Sequence, residues 1–217
     1  MATSPKTTAT KSLFKPMRGV VLISGSGSNL QAIIDQADNI DLNISCVISN
    51  HADAYGLTRA NNAGIPCHVI EHTQFNSKEA FDQVVSETIN RYNPDIVILA
   101  GFMRIFTEAF AQQYCGKMLN IHPSLLPKFQ GLNTHQRVID ANEKEHGVSI
   151  HFVTAELDGG PVIAQSRVPV LAGDDANSLA KRVLVEEHKL FPKVIHWFTQ
   201  GRLELNNGKA VLDGKAL

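Results

Sequence analysis

An amide side chain and an imidazole stand two residues apart in the segment Asn-Ile-His-Pro-Ser-Leu-Leu-Pro at residues 120–127. The mostly apolar residues 118–121 predict a short buried strand, which places Asn120 and His122 on the same face at its carboxyl end. Pro123 fixes its own φ and pushes His122 toward an extended backbone. Such a pair can offer a hydrogen-bond donor and a titratable group to one reacting carbonyl. The alternative is an ordinary strand end with a capping asparagine and a half-buried histidine.

A glycine-rich segment, Ser-Gly-Ser-Gly-Ser-Asn-Leu at residues 24–30, is the second candidate site. Its glycines allow close backbone approach, and its hydroxyl, amide and free N–H groups at a helix start can cradle an anion. It lacks the Gly-Lys-Ser/Thr ending of a Walker A loop, and it lacks the third glycine and the ribose-binding acid of a dinucleotide fingerprint. The segment therefore predicts binding of a phosphate on a small substrate, or else a turn needed only for packing.

Two more segments have both a functional and a structural interpretation. Residues 100–106 (Ala-Gly-Phe-Met-Arg-Ile-Phe) follow the most apolar predicted strand. They can line a slot for a flat heterocycle, or Met103, Ile105 and Phe106 can be ordinary core. Residues 154–161 contain Asp-Gly-Gly, which a plain hairpin turn also uses. Their functional interpretation depends on Asp158, because a carboxylate near His122 favours the imidazolium and sets its orientation.

The nine histidines do not predict a metal site, since the chain has no His-x-His or His-Glu-x-x-His and their spacings are irregular. His151 is expected to be a hydrogen-bonded sheet residue, and His135 to lie in the first turn of a helix. Lys78, Glu187 and His188 fall on predicted helices, where a solvated face is the default expectation.

Apolar strands alternate with amphipathic helices from Arg18 to Ile121, which predicts a doubly wound, mostly parallel α/β sheet with right-handed crossovers. Later segments predict an antiparallel hairpin at the end of the sheet, a long helix beginning at Asp174 or Asp175, and a closing hairpin. This C-terminal part is expected to extend the same sheet. The predicted strands span 19–24, 44–49, 66–70, 95–100, 117–121, 147–153 and 161–170, with helices at 29–37, 54–63, 77–92, 107–114 and 174–199 and the closing hairpin at 202–205 and 210–212.

The 217 residues suffice for one substantial core, and the net charge of −1 argues against a nucleic-acid binder. No apolar run is long enough to span a membrane. The three cysteines are far apart, which predicts reduced thiols and a cytoplasmic location. Residues 1–17 are rich in Ser, Thr and Lys, and we expect a disordered tail there rather than a targeting peptide.

Four segments together make the chain resemble the folate-dependent formyltransferases, and within that family the enzymes that act on glycinamide ribonucleotide. These are residues 22–31 (Leu-Ile-Ser-Gly-Ser-Gly-Ser-Asn-Leu-Gln), 99–105 (Leu-Ala-Gly-Phe-Met-Arg-Ile), 119–127 (Leu-Asn-Ile-His-Pro-Ser-Leu-Leu-Pro) and 156–163 (Glu-Leu-Asp-Gly-Gly-Pro-Val-Ile). The resemblance covers residues 18–217. It implies transfer of the formyl group of 10-formyltetrahydrofolate, as co-substrate and without a metal, to the amine of glycinamide ribonucleotide in purine synthesis.

The resemblance also implies roles for particular residues. Asn120, His122 and Asp158 match the catalytic trio: Asn120 and His122 would stabilise the oxyanion, and Asp158 would orient and charge His122. The expected ribonucleotide contacts are Gly27, Ser28, Asn29 and Glu187. The expected folate contacts are Lys78, Met103, Arg104, Ile105, Phe106, Asn120, Thr154, Ala155, Glu156, Leu157 and Asp158. Residues 18–217 would then form one domain, with a ribonucleotide-binding half at 18–120 and a folate-binding, catalytic half at 121–217.

Three positions depart from the family pattern. Lys78 stands where the family has an arginine beside the folate tail, so a bidentate fork is lost. Leu184 replaces a polar residue that can contact ribose, and Asn133 replaces a common histidine.

Three other functions compete with this assignment. A 10-formyltetrahydrofolate hydrolase shares the trio, but relatives of that kind carry an additional N-terminal domain. A methionyl-tRNA formyltransferase carries an additional RNA-binding domain. A non-catalytic Rossmann-type nucleotide-binding module would leave the trio unexplained. The expected partners are small-molecule substrates, with no nucleic acid or membrane, and the protein is expected to be a monomer or a homodimer.

Overall fold

The computed structural model describes residues 15–217. The tail predicted at residues 1–17 lies mostly outside the described residues. Its boundary is corrected by one residue, because the first strand already includes Met17.

The centre of the molecule is a seven-stranded sheet in the order β3-β2-β1-β4-β5-β6-β7. The first five strands run parallel, and β6 and β7 are added antiparallel at one end. The doubly wound, mostly parallel sheet with an antiparallel C-terminal part is therefore confirmed. The strands are β1 (Met17–Ile23), β2 (Leu42–Ser49), β3 (Cys67–Val69), β4 (Ile96–Leu99), β5 (Met118–His122), β6 (Glu145–Phe152) and β7 (Val162–Pro169).

Helices cover both faces of this sheet, and each face has its own apolar cluster. Residues of alternate orientation on β1 divide between them: Val21 and Ile23 pack in one cluster, and Val20 and Leu22 in the other. This division is the reason that residues 20–23 of β1 and all of β4 are apolar, as expected of strands covered on both faces. The helices are α1 (Ser28–Gln36), α2 (Tyr55–Asn62), α3 (Lys78–Arg91), α4 (Glu108–Gln113), α5 (Thr134–Asp140) and α6 (Ala176–Thr199), with a short 3₁₀ turn at His72–Gln74 that the sequence did not predict.

Side-chain caps set several helix starts where the sequence predicted them. The hydroxyls of Ser77 and Thr107 accept hydrogen bonds from backbone N–H groups in the first turns of α3 and α4. Asp175 forms a capping box with Ser178 at the start of α6. Such caps satisfy N–H groups that have no partner within the helix.

The closing hairpin does not extend the main sheet, which corrects the prediction. Strands β8 (Leu203–Asn206), β9 (Lys209–Leu212) and β10 (Lys215–Ala216) form a separate three-stranded antiparallel sheet. Between β7 and β8 the chain passes through the 24 residues of α6, about 36 Å of helix, and β8, β9 and β10 then pair with one another.

The sheet order creates a crevice between β1 and β4. From β1 the chain proceeds to β2 and β3 on one side, whereas β4 leads to β5 on the other. The segments that leave the carboxyl ends of β1 and β4 therefore diverge, which is the usual position of a ligand site in an open α/β sheet. Of the candidate residues singled out in the sequence, residues 27–29 follow β1, residues 103–106 follow β4, and Asn120 and His122 lie at the end of β5. Residues 154–158 follow β6, and Lys78 and Glu187 lie on α3 and α6.

Candidate active site

A cavity of about 530 Å³ opens at the carboxyl ends of β4 and β5. Such a volume suits a drug-sized or cofactor-sized molecule. Every residue proposed for folate contact except Lys78 lines it, together with His122. The remaining lining comes mainly from residues 131–135 and from His151.

Asn120 and His122 reach this cavity from alternate positions of β5, as the two-residue spacing predicted. The His122 side chain is 7% exposed, and both of its ring nitrogens face protein oxygens. Nδ1 lies 3.3 Å from Oδ2 of Asp158, and Nε2 lies 2.9 Å from the carbonyl oxygen of Phe129. Two acceptors match the two N–H donors of an imidazolium, so the protein can satisfy the cationic ring completely.

Asp158 joins the loops around His122. Gly131 donates its backbone N–H to Oδ2 of Asp158 at 2.9 Å, and Nδ2 of Asn120 lies 3.4 Å from Oδ1. The backbone of Asp158 has φ 48°, a left-handed conformation that Asp and Asn adopt more readily than most residues. The predicted meeting of Asn120, His122 and Asp158 is present in the structure.

Phe129 is held in an uncommon conformation to make its contact with His122. Its φ is 57°, a region that costs a bulky side chain on the order of 1–3 kcal/mol. Ser124 helps to hold the turn, since its hydroxyl donates to the carbonyl of Lys128 at 2.6 Å. Arg137 also lies over the Phe129 ring, 5.5 Å from its centroid. The sequence contained no signal for this carbonyl, because backbone groups are not encoded by residue type.

The segment 100–106 divides between cavity and core. Met103 and Ile105 are 61% and 53% exposed, which excludes the core interpretation for these two residues. Phe106 is buried and stacks between Phe102 and Phe110. Lys78 donates from Nζ to the carbonyl oxygen of Phe106 at 2.6 Å, so the start of α3 is tied to this segment.

The β1–α1 segment forms a second group of polar atoms at the same edge of the sheet. Gly27 is the N-cap of α1 in a left-handed conformation, with no side-chain cap and no acidic residue in the first turn. The first N–H groups of α1 lack partners within the helix, which suits an anion. Arg59, which the sequence analysis did not single out, donates from Nε to the carbonyl of Ser26 at 2.9 Å.

Glu187 reaches this second group from α6. It accepts a hydrogen bond from Nδ2 of Asn29 at 2.7 Å and is only 8% exposed, so the default expectation of a solvated face is wrong for this residue. Burial raises the pKa of Glu187 above its ordinary value of 4.5, and the Asn29 hydrogen bond partly opposes that shift. Oδ1 of Asn29 is buried and without a hydrogen-bond partner among the described residues.

Ser24 connects the two groups. Its hydroxyl accepts the backbone N–H of Met103 at 2.7 Å and donates to Oδ1 of Asn50 at 2.6 Å. The segment after β1 and the segment after β4 are therefore bound to each other. A small molecule bound at the start of α1 and a second molecule bound in the cavity would therefore lie on neighbouring parts of one crevice.

His135, which lines the cavity, is paired with a second histidine, His146. Nδ1 of His135 lies 3.0 Å from Nε2 of His146. Burial lowers the pKa of both, that of His146 to about 4, so a neutral pair can share one N–H between them. His135 lies in the first turn of α5, as predicted.

Within residues 15–217, no group of three or more His, Cys, Asp or Glu side chains is arranged to hold a metal ion. The same residues contain no helix that is long and apolar enough to cross a membrane.

Comparison with known proteins is consistent with this arrangement. The family model described as "Formyl transferase" matches residues 17–195. The phosphoribosylglycinamide formyltransferase of Escherichia coli is 52% identical over 203 residues, which cover 93% of this chain and 96% of that protein. The human trifunctional purine biosynthetic protein adenosine-3 is 44% identical over 198 residues, which are 90% of this chain but 20% of that protein.

A solved phosphoribosylglycinamide formyltransferase from Coxiella burnetii superposes with a TM-score of 0.90 at 50% identity and covers 93% of this chain and 96% of its own. A glycinamide ribonucleotide transformylase from Symbiobacterium toebii gives a TM-score of 0.87 at 42% identity and covers 90% and 93%. The chain therefore belongs to the formyl transferase family, among its phosphoribosylglycinamide formyltransferases.

Proposed function

We propose that this enzyme transfers the formyl group of 10-formyltetrahydrofolate to the amine of glycinamide ribonucleotide, a step of purine synthesis. The observation that carries the proposal is the cluster of Asn120, His122 and Asp158 on the wall of a folate-sized cavity. The ribonucleotide would occupy the adjoining β1–α1 segment.

The folate would enter the cavity between two loops. Its flat pterin fits between residues 101–106 and 153–158, where apolar side chains alternate with backbone groups that can hydrogen-bond a heterocycle. The exposed side chains of Met103, Ile105 and Leu157 would cover the ring system and the linker that follows it. Lys78 would face the carboxylate tail of the folate with a single ammonium charge, whereas an arginine would offer a bidentate guanidinium.

The ribonucleotide would place its phosphate at the start of α1. The N–H groups of Ser28 and Asn29 and the positive end of the helix dipole favour an anion there. Glu187 would accept hydrogen bonds from donor groups of the sugar or the glycinamide. These contacts would direct the substrate amine toward the cavity, because the hydrogen bond from the Met103 N–H to Ser24 holds the two segments next to each other.

The reaction then requires a hydrogen-bond donor that stabilises the negative charge developing on the formyl oxygen. Attack by the neutral amine forms a new C–N bond and places negative charge on the formyl oxygen. Asn120 donates a hydrogen bond to this oxygen, and the cationic ring of His122 stabilises it. When the bond from the formyl carbon to the folate nitrogen breaks, the proton that leaves the amine passes to that nitrogen. His122 mediates this net transfer: its cationic ring exchanges the Phe129 contact for substrate or water and gives the Nε2 proton to the folate nitrogen, and the proton released by the amine then restores the imidazolium.

The experiment that tests the proposal follows loss of the formyl group from 10-formyltetrahydrofolate with and without glycinamide ribonucleotide. Loss that requires the ribonucleotide, with formylglycinamide ribonucleotide as product, is expected. Equal loss in its absence would identify a hydrolase instead, and binding of a dinucleotide without folate would support a Rossmann-type binding module.

Gly27→Ala is expected to lower both stability and ribonucleotide affinity. Gly27 has φ 67°, and a Cβ there would lie 2.5 Å from Cα of Gly56. The left-handed conformation alone costs alanine about 1–2 kcal/mol, which lowers Tm by at least about 2 °C in a domain of this size. Thermal melts and the KM for the ribonucleotide measure the two effects.

Gly25→Ala is the matched control, because nothing lies within 4 Å of a Cβ at that position. An unchanged Tm in Gly27→Ala would mean that the loop and α2 adapt freely, contrary to this prediction.

Glu187→Gln is expected to stabilise the protein at neutral pH while it weakens ribonucleotide binding. The folded-state pKa of Glu187 is raised, so its contribution to stability is present below pH 4.5 and is lost as the pH rises through the folded pKa. Glutamine does not ionise, so the variant does not lose this stability as the pH rises. The free energy of unfolding of Glu187→Gln should therefore exceed that of wild type by an amount that grows as the pH rises above 4.5. The KM for the ribonucleotide should rise about tenfold, the effect of losing one charged hydrogen bond.

Glu186→Gln is the control, because its effect on the free energy of unfolding is expected to have the opposite sign. Hydrogen bonds from Lys189 and Ser166 lower the pKa of Glu186, so its stabilising effect is present at neutral pH and is lost as the pH falls through that lowered value. Urea unfolding of both variants from below pH 4.5 up to pH 8 separates the two cases, because the Glu186 difference changes below pH 4.5 and the Glu187 difference above it. A pH-independent difference for Glu187→Gln would contradict the assignment.

The cytoplasmic location, the monomeric or homodimeric state and the division into two functional halves remain predictions. Size-exclusion chromatography with light scattering would decide the oligomeric state.

A further inference from the structure

The orientation of the Asn120 carboxamide decides whether it can act in the proposed reaction. A carboxamide has a donor NH₂ at one end and an acceptor oxygen at the other, and only the donor stabilises an oxyanion. Rotation by 180° about the last side-chain bond exchanges the two ends with little change of shape. Some neighbouring group must therefore select the donor orientation, and the assignment follows from the hydrogen-bond network around it.

His151 is the neighbour that makes this selection. It lies directly opposite Asn120 in the antiparallel pairing of β5 and β6. Its side chain is 3% exposed, and Nε2 lies 3.0 Å from Nδ2 of Asn120. The other ring nitrogen, Nδ1, lies 2.9 Å from the carbonyl oxygen of Phe152.

The tautomer of His151 follows from these two contacts. A carbonyl oxygen can only accept, so Nδ1 must bear the hydrogen. In the neutral ring Nε2 is then a bare acceptor, and burial lowers the pKa of His151, which favours that neutral ring. An acceptor at Nε2 pairs with the NH₂ of Asn120 and repels its oxygen.

The second hydrogen of the Asn120 NH₂ remains available for the reaction. It faces Oδ1 of Asp158 at 3.4 Å, a long contact that a formyl oxygen can replace. A protonated His151 would present a donor to the NH₂ and would compete for the same carboxylate, since its Nε2 lies 3.8 Å from Oδ1 of Asp158. The neutral tautomer avoids both conflicts.

We infer that His151 is a positioning residue, which as the Nδ1–H tautomer holds the Asn120 carboxamide with its NH₂ toward the formyl oxygen. The inference rests on the proposed role of Asn120 as oxyanion donor. In this role His151 acts through Asn120 and not on the reacting atoms directly.

A double-mutant cycle tests the inference. His151→Leu removes the acceptor but keeps an apolar side chain in the sheet, and it is expected to lower kcat by about tenfold to 10²-fold with little change in either KM. In the Asn120→Ala background the same change is expected to cost nothing further, because the group that His151 positions is gone. His151→Gln, whose amide oxygen can replace Nε2 as acceptor, is expected to recover part of the loss.

The possible outcomes separate this inference from the proposed function. Equal loss on His151→Leu in both backgrounds would show a merely structural role and would overturn the inference. A harmless Asn120→Ala would instead overturn the role of Asn120. If the His151 variants do not fold, ¹⁵N NMR of the wild-type imidazole decides: a hydrogen on Nδ1 and none on Nε2 is expected, and the reverse tautomer or an imidazolium would refute the inference.

Discussion

Asn120→Ala is expected to lower kcat by about 10²–10³-fold, the loss measured when one oxyanion-hole donor is removed from other enzymes. The reason is that the carboxamide projects from β5 into the cavity with its NH₂ held by His151 and Asp158. A donor fixed before the reaction stabilises charge in the transition state without reorganisation. The KM values should change much less, because the formyl oxygen is nearly neutral in the ground state.

Steady-state kinetics with both substrates measure this effect, and Asn120→Asp provides the matched variant. Aspartate has almost the same shape as asparagine but no NH₂, so it should lose at least as much turnover as alanine. Thermal melts of both variants verify that the sheet is intact. Turnover within a factor of a few of wild type for Asn120→Ala would refute the oxyanion role.

Asp158→Asn is expected to lower kcat by about 10²–10⁴-fold, the range that a general acid–base group contributes. The carboxylate accepts from Gly131 N–H at 2.9 Å and faces Nδ1 of His122 at 3.3 Å. Both contacts are made by Oδ2, and an asparagine oxygen at that position can keep them, but its NH₂ then faces Nδ2 of Asn120 in place of the acceptor Oδ1. The His122 ring loses the negative charge that pairs with its cation, and the Asn120 carboxamide meets a second donor.

The backbone itself should tolerate this substitution, because asparagine also adopts the left-handed conformation in which Asp158 is held. Asp213→Asn is the matched control: Asp213 has a similar φ of 52° but lies in the C-terminal sheet region, where it pairs with Arg202. The pH dependence of kcat should change only in the Asp158 variant. Near-normal turnover with an unchanged pH profile would exclude Asp158 from the mechanism.

The helix and strand pattern was predictable because each element has its own sequence period and its own start signal. Ser77 and Thr107 cap helices where the sequence predicted them, since a cap needs only a hydroxyl and a nearby N–H. The placement of Asn120 and His122 at the end of β5 followed from strand alternation. These are local properties, and local properties can be inferred from a single chain.

The contacts that complete the site were not predictable in the same way. His151 was expected to be a hydrogen-bonded sheet residue, but its partner Asn120 depends on the register of β5 against β6, 31 residues away in sequence. Glu187 was assigned to a solvated face by default, although α6 packs it against Asn29, 158 residues distant. The separation of β8–β10 from the main sheet likewise depends on where α6 ends in space.

The sequence by itself determined the alternation of strands and helices, the four segments shared with the formyltransferases and the residue types available for catalysis. Only the tertiary structure decided that Asp158 and the Phe129 carbonyl meet the two nitrogens of His122, and that His151 faces Asn120. The physical reason is that residue type sets what a side chain can donate or accept. The partner that it meets depends on strand register, on backbone carbonyls and on loops closed over many residues, which the packing of the whole chain brings together.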